Sequence, residues 1–192
     1  MTRRLPPTLV TAGLLCALWT GLSAQVLEKE QGASLAPFVP TPEDVVDRML
    51  SLAEVGPDDV VYDLGCGDGR IVIAAAKKLG ARGVGIDYDP ERIKESEANA
   101  KKAGVEDRVT FRQQDAMTVD VSPATVVTLY LLSGSNLKLR PMLTKQLRPG
   151  ARIVSHAFSM GDWEPLKKDE FTDAKGVPRT LYLWKTDGQE RP

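Results

Sequence analysis

The chain has 192 residues, the length of one domain with a short extension, and 42% of them are hydrophobic, as a packed core requires. A formal net charge of −1 argues against a nucleic-acid partner, and the single histidine, His156, leaves no basis for a histidine metal site. The two cysteines, Cys16 and Cys66, support neither a disulfide framework nor a zinc cluster.

Residues 1–24 read as a targeting segment. Arg3 and Arg4 precede an apolar run at 9–22, and Leu22-Ser23-Ala24 is an acceptable cleavage site. The run is short for a membrane span. A cleaved signal peptide is the first reading and an uncleaved N-terminal anchor, with membrane association through 9–22, the second. Residues 25–36 are polar and read as a linker, 37–186 as the folded domain and 187–192 as a tail.

Thr41 reads as the N-cap of the first helix, with Pro42 at its first position and Asp44 completing a capping box. Val45, Val46, Met49, Leu50 and Ala53 supply its apolar face. The run Val60-Val61-Tyr62-Asp63-Leu64 then ends in an acid and is followed by Gly65-Cys66-Gly67-Asp68-Gly69-Arg70 and a buried helix. Strand, tight glycine turn and helix form the first unit of a nucleotide-binding α/β domain, with the helix N-terminus aimed at the ligand. The third glycine comes one residue too early for a dinucleotide fingerprint, and no Lys-Ser or Lys-Thr follows, as a phosphate loop needs. What remains, an acid followed by three alternating glycines, resembles motif I of the class I S-adenosylmethionine-dependent methyltransferases. Their cofactor carries an α-amino group, which an acid near the loop can hold, and no phosphate.

Val84-Gly85-Ile86-Asp87 is a second strand ending in an acid, 20 positions after Gly67, where a carboxylate reaches ribose hydroxyls. Asp89-Pro90 caps the next helix and Gly104 stops it. Val109-Thr110-Phe111 is a third strand, leading to Asp115, a candidate acceptor for the adenine amino group. The fourth strand spans 125–132, and a helix is expected at 136–147 with Pro141 marking its true first turn. A fifth strand ends at His156, and two closing strands are expected at 164–171 and 179–185. The pattern predicts a Rossmann-like α/β fold: a mostly parallel sheet with helices on both faces and an antiparallel edge.

Three stretches carry a closer resemblance: Pro37-Phe38-Val39-Pro40-Thr41, the run from Asp63 through Lys78, and Trp163-Glu164-Pro165. They are similar to the seven-β-strand protein-lysine methyltransferases that modify the c-type subunit of ATP synthase and the adenine nucleotide translocase. The resemblance covers residues 36–185. It implies that Phe38, Val39, Pro40 and Thr41 pack beside the methionine part of S-adenosylmethionine. It also implies that Asp63, Gly65, Gly67 and Gly69 form the cofactor loop and that Asp87 and Asp115 hold the nucleoside. Asp68, Tyr88 and Ala116 complete the candidate cofactor set. Two segments depart from the family pattern, Leu131-Leu132-Ser133-Gly134-Ser135 and Phe158-Ser159-Met160-Gly161-Asp162, and both border the acceptor side.

Tyr130, His156 and Trp163 lie at or past strand ends and are the acceptor-site candidates. The chemistry implied is N-methylation, of a protein lysine or, alternatively, of a small molecule; a cofactor-binding protein without activity is the third reading. The targeting segment implies export or anchoring, although the cofactor is made in the cytosol.

Overall fold

The structure is a computed structural model and describes residues 35–192. The targeting segment and all of the expected linker but its last two residues lie outside the described residues. Eleven elements follow in order: α1 Glu43–Leu52, β1 Val60–Leu64, α2 Arg70–Leu79, β2 Arg82–Asp87, α3 Pro90–Ala103, β3 Val109–Gln113, β4 Val126–Leu129, α4 Ser133–Gln146, β5 Arg152–His156, β6 Lys167–Thr172 and β7 Pro178–Lys185.

The strands form one sheet in the order β3-β2-β1-β4-β5-β7-β6. β1 to β5 are parallel, and β7 pairs antiparallel with both β5 and β6. The strand order reverses between β1 and β4, so the ligand crevice of such a sheet lies at the carboxyl ends of these two strands. Because side chains alternate along a strand, the sheet builds two cores. Val61, Val126, Val154 and Leu181 meet α1 and α2 through Val46, Met49 and Val72. Leu64, Leu129, Ile153 and Trp184 meet α4 through Leu139 and Leu143.

Three local expectations are corrected. The first helix begins after Pro42 and has no side-chain cap. Thr41 is buried instead, with its carbonyl accepting from Arg70 Nη1 at 2.7 Å, while Asp44 accepts the Ala174 N–H at 2.6 Å. Tertiary partners thus outcompete the local capping box. The helix expected to start near Pro141 starts at Ser133 and carries Pro141 within it. Leu139 and Leu143 are buried against the sheet on either side of it, and this packing outweighs the one backbone bond that proline cannot make. The first closing strand begins at Lys167 rather than residue 164. Residues 187–192 follow the last strand without regular structure, and the Arg191 N–H donates to Thr144 Oγ1 on α4 at 2.9 Å, a contact of the tail and no change to its bounds.

Among the described residues no helix is long and apolar enough to cross a membrane, and no cluster of His, Cys, Asp and Glu could hold a metal ion.

Candidate active site

The glycine loop joins β1 to α2. Gly67 and Gly69 take left-handed φ values of 54° and 79°, which side-chain-bearing residues rarely adopt. Space is the second constraint. A Cβ on Gly67 would lie 2.4 Å from the Phe38 ring, and one on Gly69 2.7 Å from the ring of Phe111. The loop is pinned from outside as well, because the N–H groups of Gly65 and Cys66 both donate to the Ile86 carbonyl, at 2.8 and 2.9 Å.

Asp87 closes β2 and is doubly bonded. Its Oδ2 accepts the Gly67 N–H at 2.9 Å and its Oδ1 the Asp89 N–H at 3.0 Å. The carboxylate therefore fixes the loop and stands at the strand end, where ribose hydroxyls would meet it. Tyr88, the next residue, is 40% exposed. Asp115 accepts the Met117 N–H at 2.9 Å, and Ala116 beside it is buried. Asp68 is engaged otherwise than by a ligand: Arg70 forks onto it, at 2.5 Å from Nη2, and ties it to the Thr41 carbonyl. Phe38 lies over Gly67, half exposed, with the Arg92 guanidinium 4.6 Å from its ring centre. Pro40 is exposed.

Asp63 is the buried acid of the site, 2% exposed. Thr128 Oγ1 on β4 donates to its Oδ1 at 2.7 Å. Burial pushes its carboxyl up to about 7; the Thr128 bond opposes the rise, and Asp87 and Asp68 add to it. A buried carboxyl beside a glycine loop fits the cationic amino group of S-adenosylmethionine. The N-terminus of α2, without a side-chain cap, adds backbone donors.

The three acceptor candidates separate into a pair and an outlier. Tyr130 and His156 follow each other across the β4–β5 register, in which Leu129 pairs with Ser155, and their rings stack at 4.0 Å. Both continue the sheet face that carries Asp63 and Thr128. Trp163 is not with them. It packs toward the opposite face, 6.0 Å from Trp184, with the Arg191 guanidinium 4.5 Å from its ring. The Trp184 indole N–H donates to its carbonyl at 2.8 Å. Sequence reasoning missed Thr128, Arg70 and Phe158. Thr128 had a signal, a lone hydroxyl in an apolar strand; Phe158, 6.5 Å from Tyr130, opens the segment read as bordering the acceptor side but was not singled out.

His156 is fully buried, and neither ring nitrogen has a hydrogen-bond partner. Burial and the nearby Arg179 cation push its pKa down to about 4, against an opposing pull from Asp173. The imidazole is therefore neutral at physiological pH.

Comparison with known proteins places this arrangement. Residues 63–167 match the ANTKMT methyltransferase domain. A protein-lysine N-methyltransferase of Saccharolobus islandicus is 48% identical over 149 residues, which are 77% of this chain and 92% of that protein. The human lysine N-methyltransferase of the ATP synthase c-type subunit is 32% identical over 67% of this chain, which spans 54% of that longer protein. Among solved structures, an RNA methyltransferase from Salinibacter ruber, in complex with S-adenosyl-L-homocysteine, is 56% identical, with a TM-score of 0.74 over 80% of this chain and 97% of that one. The glycine loop, its acids and the reversal between β1 and β4 thus belong to a known lineage: this chain is an S-adenosylmethionine-dependent methyltransferase of the ANTKMT methyltransferase domain family.

Proposed function

We propose that this chain methylates the side-chain amine of a lysine in a protein acceptor. The observation that carries the reading is the 48% identity to a protein-lysine N-methyltransferase, sustained over 92% of that protein's length. The cofactor supplies a methyl group on a positively charged sulfur, and the acceptor nitrogen takes it with its own lone pair. The nitrogen must therefore arrive uncharged. Tyr130, Phe158 and the neutral His156 favour that form, because a buried, aromatic surrounding disfavours an ammonium ion. Asp63, Asp87 and the glycine loop hold the cofactor, and Phe38 covers the loop and limits water access.

The Salinibacter ruber relative, named an RNA methyltransferase, supports RNA as a second reading. Charge speaks against it here: RNA binding draws on protein cations that displace the counterions condensed on the phosphates, and this chain carries a formal net charge of −1.

Incubation of cell extracts with the enzyme and methyl-labelled cofactor separates the readings. The expected label is removed by protease and survives ribonuclease, and acid hydrolysis returns it as methyl-lysine. Label lost to ribonuclease would establish the RNA reading instead, and label confined to small molecules would end both.

A further inference from the structure

Three aromatic rings meet at the carboxyl ends of β4 and β5. Tyr130 is the middle one, stacked on His156 at 4.0 Å and on Phe158 at 6.5 Å, with interplanar angles of 30° and 27°. The backbone that builds this stack is strained. Ala157 has a φ of 68°, one of two non-glycine residues with positive φ among the described residues. The Phe158 N–H donates across it to the His156 carbonyl at 2.9 Å, which makes a γ-turn, and the Ala157 N–H donates to the Thr180 carbonyl at 2.8 Å. No glycine relieves the turn, and strain of this kind persists only where the surroundings hold it and tends to mark functional sites.

The stack also gathers unpaired polar atoms. Three buried side-chain polar atoms lack any hydrogen-bond partner among the described residues: both nitrogens of His156 and Oδ1 of Asn136. Asn136 belongs to the same end of the sheet, since its amide donates to Ser155 Oγ at 3.0 Å and to the Phe158 carbonyl at 3.1 Å. Buried polar atoms are normally paired, so an unpaired pair on one ring asks for a partner outside the free protein. A neutral imidazole offers one N–H and one lone pair. The ring also sits on the sheet face of Asp63 and Thr128, the face on which the cofactor's amino group is expected.

We propose that Tyr130, His156 and Phe158 form the acceptor subsite, and that a ring nitrogen of His156 accepts a hydrogen bond from the N–H of an uncharged alkyl amine lying along the stack. This rests on the N-methylation reading above and adds the residue that orients the acceptor. The imidazole takes no proton. The desolvating stack disfavours the ammonium form, and the hydrogen bond turns the lone pair of the uncharged amine away from the imidazole, toward the cofactor side.

His156 is the one histidine of the chain, so its ring nitrogens give a single set of signals in the ¹⁵N-histidine spectrum. The test uses the full chain saturated with S-adenosylhomocysteine and titrated at about pH 9 with n-butylamine, with butyl methyl ether, which has no donor, as the control. The expected result is a saturable upfield displacement of one ring nitrogen with the amine. It is absent with the ether and lost in Tyr130→Ala. In kinetics on the labelled protein acceptor, His156→Phe should raise KM or lower kcat more than 30-fold while the S-adenosylhomocysteine Kd stays within twofold, and His156→Gln should recover part of the loss. An unmoved His156 spectrum in protein that binds S-adenosylhomocysteine overturns the assignment. The lysine reading is judged independently by the extract labelling, so either can fail alone.

Discussion

At the carboxyl ends of β1 to β3 every candidate carboxylate already has a donor, whereas at those of β4 and β5 His156 and Asn136 keep buried atoms without a partner. Asp63 takes Thr128, Asp87 takes two backbone N–H groups, Asp115 takes Met117 and Asp68 takes Arg70. His156 keeps both ring nitrogens open in the aromatic stack, and Asn136 on α4 keeps its Oδ1 open. The first half is preorganised: its dipoles and charges are fixed before any ligand arrives, so no reorganisation is needed on binding. The second half leaves its polarity uncommitted, which suits a group that comes and goes with each turnover. One half recognises a constant molecule and the other receives a variable one.

The largest expected effect tests the preorganised half. Asp87→Ala removes the acceptor of the Gly67 N–H together with the carboxylate at the ribose position. Hydrogen bonds to charged groups contribute about 1.5–3 kcal/mol each, so losing two should weaken S-adenosylhomocysteine binding by roughly 100- to 10,000-fold. Calorimetry measures this directly. A Kd within tenfold of the wild type would show that the half is not organised around this acid.

A pH series sets the halves against each other. Asp63 titrates near 7 in the fold against an ordinary 3.8, so between those values the folded chain binds more protons than the unfolded one, and this group makes stability fall as pH rises. His156 titrates near 4 against an ordinary 6.5, so between those values the unfolded chain binds more protons, and this group makes stability rise with pH. In the free enzyme the two slopes oppose. Asp63→Asn should leave a rising slope and His156→Gln a falling one, each up to about 1.4 kcal/mol per pH unit, read from urea denaturation across the shared window. Slopes of the same sign in both variants would break the assignment. Added S-adenosylhomocysteine should also release a proton near pH 6 from the wild type and none from Asp63→Asn, since its cationic amine favours the ionised acid.

How far the sequence speaks differs between the halves for the same reason. Gly65, Gly67 and Gly69 lie within one loop, and Asp87 and Asp115 each close the next strand unit, so cofactor chemistry is written in short-range spacing. The acceptor half arises from register. Tyr130 meets His156 only because β4 and β5 pair in parallel, and Phe158 joins them through a left-handed alanine that no turn residue announces. Trp163 is near the pair along the chain, yet the turn after Ala157 carries it to the other face. Thr41 and Pro141 mislead for a related reason. Capping and proline rules describe an isolated helix, whereas Arg70 takes the Thr41 carbonyl and the buried Leu139 and Leu143 pack α4 on the sheet on both sides of its proline.

A seam far from both halves provides a control of intermediate size. Arg152 on β5 reaches the Ala53 carbonyl at 2.7 Å, the Glu54 carbonyl at 3.0 Å and the carboxylate of Asp59. Asp59 in turn accepts from Thr125 Oγ1 at 2.6 Å. Arg152→Ala should cost about 2 kcal/mol of stability, because it strands a mostly buried carboxylate. S-adenosylhomocysteine affinity and acceptor KM should both stay put. A change in either would mean that the amino ends of the strands communicate with the site.

The smallest effect concerns the cover over the cofactor loop. Phe38 fills the space that Gly67 leaves open, and Arg92 on α3 lies 4.6 Å above its ring while also pairing with Glu95 at 2.5 Å. A cation over an exposed ring is worth about 0.5–1 kcal/mol, which corresponds to a two- to fivefold change in how readily the ring lifts. If the ring must lift for the cofactor to leave, Arg92→Ala should speed S-adenosylhomocysteine release by that factor, and association should change less, as stopped-flow fluorescence would record. Glu95→Ala separates the causes, since it frees Arg92 from its surface ion pair and leaves the ring contact in place. Faster release in Glu95→Ala would assign the effect to the ion pair. Unchanged release in Arg92→Ala would mean that packing on Gly67 alone holds the cover, and the preorganised half would then end at the glycine loop rather than extend to α3.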